Sequence, residues 1–149
     1  MVTIGDTAAI GAGAVAGALC RYQIGYVFTR RISNDTRLSS QSVWHTAGIN
    51  VFGSFVLGAI AGLPSVAPTA TKEGRANAFI LSPRVRLLTG VGFCGSFTTF
   101  STFSVDVVNM LSKGDTFRAF SYMAVNNLGG IIAAFAGLRA MGFVVKKFQ

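Results

Sequence analysis

The sequence predicts an all-α membrane protein: one domain of four transmembrane helices, the third broken near its middle. Three observations lead there. Of the 149 residues, 51% are hydrophobic and only 12% charged, about half the roughly 25% that covers a soluble domain. Four apolar runs of spanning length follow one another, and at about 20 residues per crossing they use roughly 80 residues. One of those runs is interrupted by a dense group of hydroxyl and phenylalanine side chains. A mean hydropathy of +0.55 excludes a disordered chain, because so apolar a segment does not stay solvated. The net charge of +8 and pI near 10.4 raise nucleic acid as a partner. However, the basic residues lie mostly between apolar runs and form no stripe, so they read as membrane-flanking charges and no nucleic-acid partner is expected.

The first span, 7–29, contains one charge, Arg21, and is closed by Arg30 and Arg31. A signal peptide needs a basic leader, yet Met1 to Asp6 carry no Lys or Arg and Leu19 before Cys20 spoils a lipoprotein-type site, so this segment is expected to stay in the mature chain. The second span, 43–63, lacks Lys, Arg, Asp and Glu and begins with Trp44 and His45, rings suited to the headgroup level. Between Pro64 and Pro83 the composition turns polar, with Lys72, Glu73 and Arg75, which marks the longest loop. The third span, 85–111, holds the polar interruption, and the fourth, 118–139, ends at Arg139 with Lys146 and Lys147 beyond it.

Four crossings put both termini on one side. That side carries seven basic residues (Lys72, Arg75, Arg84, Arg86, Arg139, Lys146, Lys147) and the other five (Arg30, Arg31, Arg37, Lys113, Arg118). So small a bias barely specifies an orientation. Either the first helix decides it, or the chain inserts both ways and pairs antiparallel with itself. Small residues at Gly13/Gly17, Gly58/Gly62 and Gly129, Gly130 and Gly137 let helices approach closely, within one chain or between two.

Polar groups in hydrocarbon cost several kcal/mol when unsatisfied, so those in these spans are informative. Thr46, Asn50 and Ser54 recur every four residues along one face of the second span, and Tyr122 and Asn126 repeat that spacing in the fourth, with Asn127 beside them. Interhelical hydrogen bonds, worth about 0.6 kcal/mol each, explain any one of them. Stripes on two helices also describe a lined path. Neither stripe carries a carboxylate or lysine, and hydroxyls and amides donate without fixed charge, which suits a small anion that must leave after binding. Arg21 either snorkels, about 12 Å from its helix end, or stands as a fixed positive charge at a vestibule. In the third span, Ser96 to Ser104 include three phenylalanines and no charge, a composition fit for a helix broken inside protein, where freed carbonyls hold a cation. Phe100 and Phe103 share a face and can turn their electropositive ring edges to an anion, or simply pack. Asp106 is expected near the interface, and Cys20 and Cys94 are expected to be buried free thiols. No nucleophile–base pair, phosphate loop or HExxH helix occurs, so no enzyme is expected.

The interruption, Gly92-Phe93-Cys94-Gly95-Ser96-Phe97-Thr98-Thr99-Phe100-Ser101-Thr102-Phe103-Ser104, resembles the G-F-x-G-x-x-T-T-F-S-T-F signature of the Fluc/CrcB fluoride channels. Gly17-Ala18-Leu19-Cys20-Arg21-Tyr22 is similar to that family's G-A-x-x-R-Y element. Thr46-Ala47-Gly48-Ile49-Asn50-Val51-Phe52-Gly53-Ser54-Phe55 is similar to its T-x-x-x-N-x-x-G-S-F element. The resemblance implies a multi-pass plasma-membrane protein, an antiparallel dual-topology homodimer with two fluoride pores, exporting cytoplasmic fluoride passively and lowering its toxicity. It implies that Phe100 and Phe103 contact fluoride edge-on with Asn50 nearby. Thr46 and Tyr122 would line the pore, Ser101 and Thr102 would form a polar track, and Arg21 would be the vestibule charge. Backbone carbonyls of Gly95 and Thr98 from both subunits would hold a structural Na+ ion at the dimer centre. Asn126 stands where the family often has serine and keeps a place in the lining as a bulkier donor. The competing readings are a small dual-topology proton-coupled exporter, which needs a carboxylate deep in a span, and a non-conducting assembly subunit.

Overall fold

The computed structural model describes residues 2–32, 43–64 and 81–147. Arg37, Lys72, Glu73 and Arg75, which enter the charge count, and most of the expected Pro64–Pro83 loop lie outside the described residues. The architecture is all-helical. Helix α1 (Ile4–Ile32) starts in a reciprocal cap: the Thr3 hydroxyl accepts from the Asp6 backbone N–H at 3.2 Å and the Asp6 carboxylate accepts from the Thr3 N–H at 3.1 Å. The Arg84 Nε lies 3.7 Å from the Asp6 carboxylate. Helix α2 (Trp44–Gly62) has 19 residues, about 29 Å at 1.5 Å per residue, close to the thickness of a bilayer core.

The third segment is compound. Ser82 caps α3 (Pro83–Arg86), accepting from Val85 N–H at 3.3 Å with Pro83 at the first helical position. A π-helical stretch, π1 (Leu87–Cys94), and a short α4 (Gly95–Phe97) continue it. After extended Thr98 and Thr99 the chain resumes as α5 (Phe100–Ser112). Gly114, at φ +79°, turns the chain out of α5, with its N–H on the Leu111 carbonyl and that of Asp115 on the Met110 carbonyl, both at 3.0 Å. The fourth segment is α6 (Thr116–Ala124), a π turn π2 (Val125–Gly129), and α7 (Gly130–Lys147). It runs eight residues past the hydropathy limit at Arg139, whose guanidinium lies 4.9 Å above the Phe135 ring. Trp44–Gly62, Pro83–Ser112 and Thr116–Lys147 are long and apolar enough to cross a membrane. The first helix is long enough at 29 residues, but Arg21, Gln23 and its many glycines and alanines dilute its hydropathy.

The glycines bring the helices together within one chain. A β-carbon on Gly13 would strike the Leu88 carbonyl and one on Gly17 the Phe93 carbonyl, so α1 lies directly on π1. Likewise a β-carbon on Gly58 would strike the Ala134 carbonyl and one on Gly137 the Phe55 carbonyl, which seats α2 on α7. Gly58→Ala is therefore expected to destabilise the chain by about 1–3 kcal/mol. Gly48→Ala, whose β-carbon meets nothing within 4 Å, should leave the unfolding midpoint in detergent unchanged. Ala47, Phe103, Val107, Met110, Ala119 and Tyr122 form a small core joining α2, α5 and α6. Large apolar side chains such as Val108, Ile131, Ile132 and Phe135 point outward, an arrangement that lipid favours and water does not. Cys94 is buried as expected, whereas Cys20 is exposed.

Candidate functional site

The site is built on the interruption of the third segment. Thr98 (φ −79°, ψ 158°) and Thr99 (φ −148°, ψ 116°) are extended, so the helical ladder stops and its polar groups need other partners. Local hydroxyls supply some of them. The Thr98 Oγ1 and N–H both donate to the Cys94 carbonyl, at 2.9 and 3.0 Å, and the Thr99 Oγ1 caps α5 by accepting from the Thr102 N–H at 3.2 Å. The Thr99 hydroxyl also reaches the Ser101 and Thr102 hydroxyls at 3.3 and 3.0 Å.

Asn50 supplies the rest from α2. Its Oδ1 accepts from the Thr99 N–H at 2.8 Å and its Nδ2 donates to the Thr99 carbonyl at 3.1 Å. One carboxamide thus replaces both partners that Thr99 lost. The same Nδ2 donates to Asn126 Oδ1 at 2.9 Å, and Asn126 Nδ2 donates to the Tyr122 carbonyl at 2.9 Å. The stripes on α2 and on the fourth segment therefore meet at the break. Asn126 lies in π2, and π turns of this kind often sit at functional positions.

Beside these bonds lies a cleft of about 250 Å³ lined by Asn50, Ser54, Gly95, Thr98, Thr99, Phe100, Phe103, Asn126 and Asn127, among others. No Asp, Glu, Lys, Arg or His is among its described lining residues. Phe100 and Phe103 lie 5.6 Å apart between ring centroids, tilted by 47°. Phe100 is 77% exposed and Phe103 only 7%.

The other expected residues sit around the cleft. Tyr122 is fully buried, its ring 5.6 Å from Phe103 and at the same distance, edge-on, from Trp44. Thr46, also buried, and Asn126 are close polar neighbours of its phenol. Arg21 turns inward, its Nη1 donating to the Thr98 carbonyl at 3.4 Å. Ser101 and Thr102 occupy the first turn of α5 behind the Thr99 hydroxyl.

Two participants escaped the sequence reading. Thr99 organises the break through its own backbone, although a threonine before a Phe-Ser-Thr helix start is a cap signal. Asp106, expected near the interface, accepts from the Tyr122 hydroxyl at 2.9 Å. It lies three residues after Phe103 on α5, so the helical period already places the two on one face.

Helices that cross the cell membrane several times and an uncharged polar cleft between them define a multi-pass membrane protein built around an internal polar site. The chain belongs to the CrcB family: the family described as CrcB-like protein, Camphor Resistance (CrcB), matches residues 8–138. Among its relatives, the fluoride-specific ion channel FluC 2 of Moorella thermoacetica is 33% identical over 133 residues, 89% of this chain and 93% of that protein. The fluoride-specific ion channel FluC 1 of Desulfitobacterium hafniense is 37% identical over 130 residues, 87% of this chain and 97% of that protein. The fluoride-specific ion channel FluC of Leptospira interrogans is 31% identical over 136 residues, 91% of each. These relatives are named as ion channels, not enzymes.

Proposed function

We propose that this chain is a fluoride-selective channel that lets cytoplasmic fluoride leave down its electrochemical gradient and so lowers its toxicity. The observation that carries this reading is the cleft at the break, where two phenylalanines and three carboxamides converge without a charged side chain. Fluoride is small and strongly hydrated, so a pore must replace its water with donors. The ring edges of Phe100 and Phe103 and the hydroxyls of Ser101 and Thr102 offer partial positive charge without trapping the ion, and Asn50, whose two amide hydrogens go to the Thr99 carbonyl and Asn126, holds the break beside them. Thr46 and Tyr122 would continue the lining toward Trp44, with the Tyr122 hydroxyl held by Asp106, and Asn126 lines the cleft beside Asn50.

In this reading the working unit is an antiparallel, dual-topology homodimer with two pores, and Ile4–Ile32 makes the fourth crossing of each subunit. Its one internal charge supports that crossing, since Arg21 finds the Thr98 carbonyl inside the protein rather than lipid. Phe100, largely exposed on the single chain, and the open face at Gly95, where a β-carbon meets nothing within 4 Å, suit cover by a second copy. The break also fits a structural Na+ ion. The Thr99 N–H, the helical partner that the Gly95 carbonyl would have, goes to Asn50, and the Thr102 N–H, the one for Thr98, goes to the Thr99 hydroxyl. The Gly95 carbonyl thereby loses its helical partner and the Thr98 carbonyl keeps only the long 3.4 Å bond from Arg21, which leaves lone pairs on hard oxygen donors of the kind an alkali cation takes at unwound helices. Such an ion would bind the two breaks to each other electrostatically.

The proton-coupled exporter needs a titratable group in its path, and Asp106 against Tyr122 is the candidate. The uncharged cleft and the channel names of the relatives favour the channel. In liposomes loaded with fluoride and electrically shunted by a potassium ionophore, the purified chain is expected to release fluoride while retaining chloride. Equal release of both anions, or none of fluoride, would falsify the proposal.

A further inference from the structure

Asn126 is the residue in the cleft whose side chain departs from the serine implied by the resemblance, and its bonding shows what the longer side chain does. Carboxamide oxygen and nitrogen are interchangeable in shape, so their orientation has to be read from unambiguous partners. Here both ends have one. The Thr99 N–H can only donate, so it fixes Asn50 Oδ1 toward itself and turns Nδ2 to the Thr99 carbonyl and to Asn126. The Tyr122 carbonyl can only accept, so it fixes Asn126 Nδ2 toward itself and leaves Oδ1 facing Asn50. The two backbone ends agree on one polarity for the whole chain of bonds.

We propose that Asn126 is a positioning residue: through Asn50 it couples the backbone of the fourth segment to the extended Thr98–Thr99 pair and sets the direction in which the Asn50 amide faces the cleft. A serine at 126 would still donate to the Tyr122 carbonyl four residues back, but it is too short to replace Oδ1 as the acceptor for Asn50. With that acceptor gone, Asn50 keeps only its Thr99 bonds and its amide is free to tilt. The consequence for conduction rests on the channel reading. The coupling itself rests only on the bonds above.

Amide hydrogen exchange of the full-length chain in lipid nanodiscs tests the coupling without fluoride. In Asn126→Ser the Thr99 amide should exchange about tenfold faster, while Val107 and Met110 in α5 stay as protected as in the parent. In Asn126→Asp the carboxylate still accepts from Asn50 but no longer donates to the Tyr122 carbonyl, so Thr99 should exchange faster than in the parent yet clearly more slowly than in Asn126→Ser. Unchanged Thr99 exchange in Asn126→Ser overturns the proposal. So does a rise spread evenly through α5, which marks a packing role, or a loss in Asn126→Asp as large as in the serine variant. If Thr99 exchange accelerates as expected but neither protein conducts fluoride, the coupling stands and the channel reading fails.

Discussion

Phe100→Ile is expected to lower fluoride flux by at least about a hundredfold while leaving the fold intact. On the single chain this ring is 77% exposed, so its replacement leaves no cavity in the core and costs the subunit little. What it removes is a ring that lines the cleft together with Asn50 and lies beside Phe103. Two decades of rate correspond to about 2.7 kcal/mol of barrier, a fair cost for a poorly solvated anion that loses a partner in a low-dielectric passage. Phe103→Ile is expected to differ in kind. Phe103 is buried against Tyr122, Val107 and Met110, so flux should fall and the stability of the chain should drop as well, by about 1–3 kcal/mol. Parallel efflux and unfolding measurements separate the two. A Phe100→Ile protein that conducts like the parent removes the aromatic assignment.

Asn50→Leu should be the most damaging single change at the site. The side chains are similar in volume, so packing is conserved, but the Thr99 N–H and carbonyl both lose their partner and Asn126 Oδ1 loses its donor. Each buried polar group left unpaired costs about 1–3 kcal/mol, and the extended Thr98–Thr99 geometry has no other side chain holding both faces of the Thr99 peptide. The expected result is a strongly destabilised chain with no measurable flux. Asn50→Asp keeps an acceptor for the Thr99 N–H but turns a carboxylate oxygen toward the Thr99 carbonyl, so it should retain part of the stability and none of the flux. Equal stability in Asn50→Leu and the parent would show that the break is held by its hydroxyls alone.

Much of this arrangement is legible in the sequence because hydrocarbon makes polar residues conspicuous. Asn50, Asn126, Phe100 and Phe103 stand out as amides or a ring pair within apolar runs, and helical spacing already assigns the amides to facing stripes. The Gly-x-x-x-Gly pairs were equally visible, yet only the structure shows that Gly58 meets Ala134 within the same chain. Other features depend on geometry that composition does not encode. The π turns at Leu87–Cys94 and Val125–Gly129 contain ordinary helix residues, since widening a turn changes which carbonyl is bonded and not which side chain is tolerated. Asp106 reads as interfacial because a carboxylate near a span end normally is, and its bond from the Tyr122 hydroxyl on the fourth segment is a partner that spacing along one helix does not reveal. Hydropathy ended the fourth span at Arg139, but the backbone ladder continues to Lys147, because a charge limits membrane depth without ending a helix.

The central claim is a passive pore that passes fluoride and excludes chloride. A planar-bilayer recording with a fluoride gradient and an opposing chloride gradient tests it most directly. Current should reverse at the fluoride equilibrium potential, about 59 mV for each tenfold fluoride gradient, and that potential should not move when a pH gradient is added. Reversal at the chloride potential, or a reversal potential that follows the pH gradient, would contradict the account.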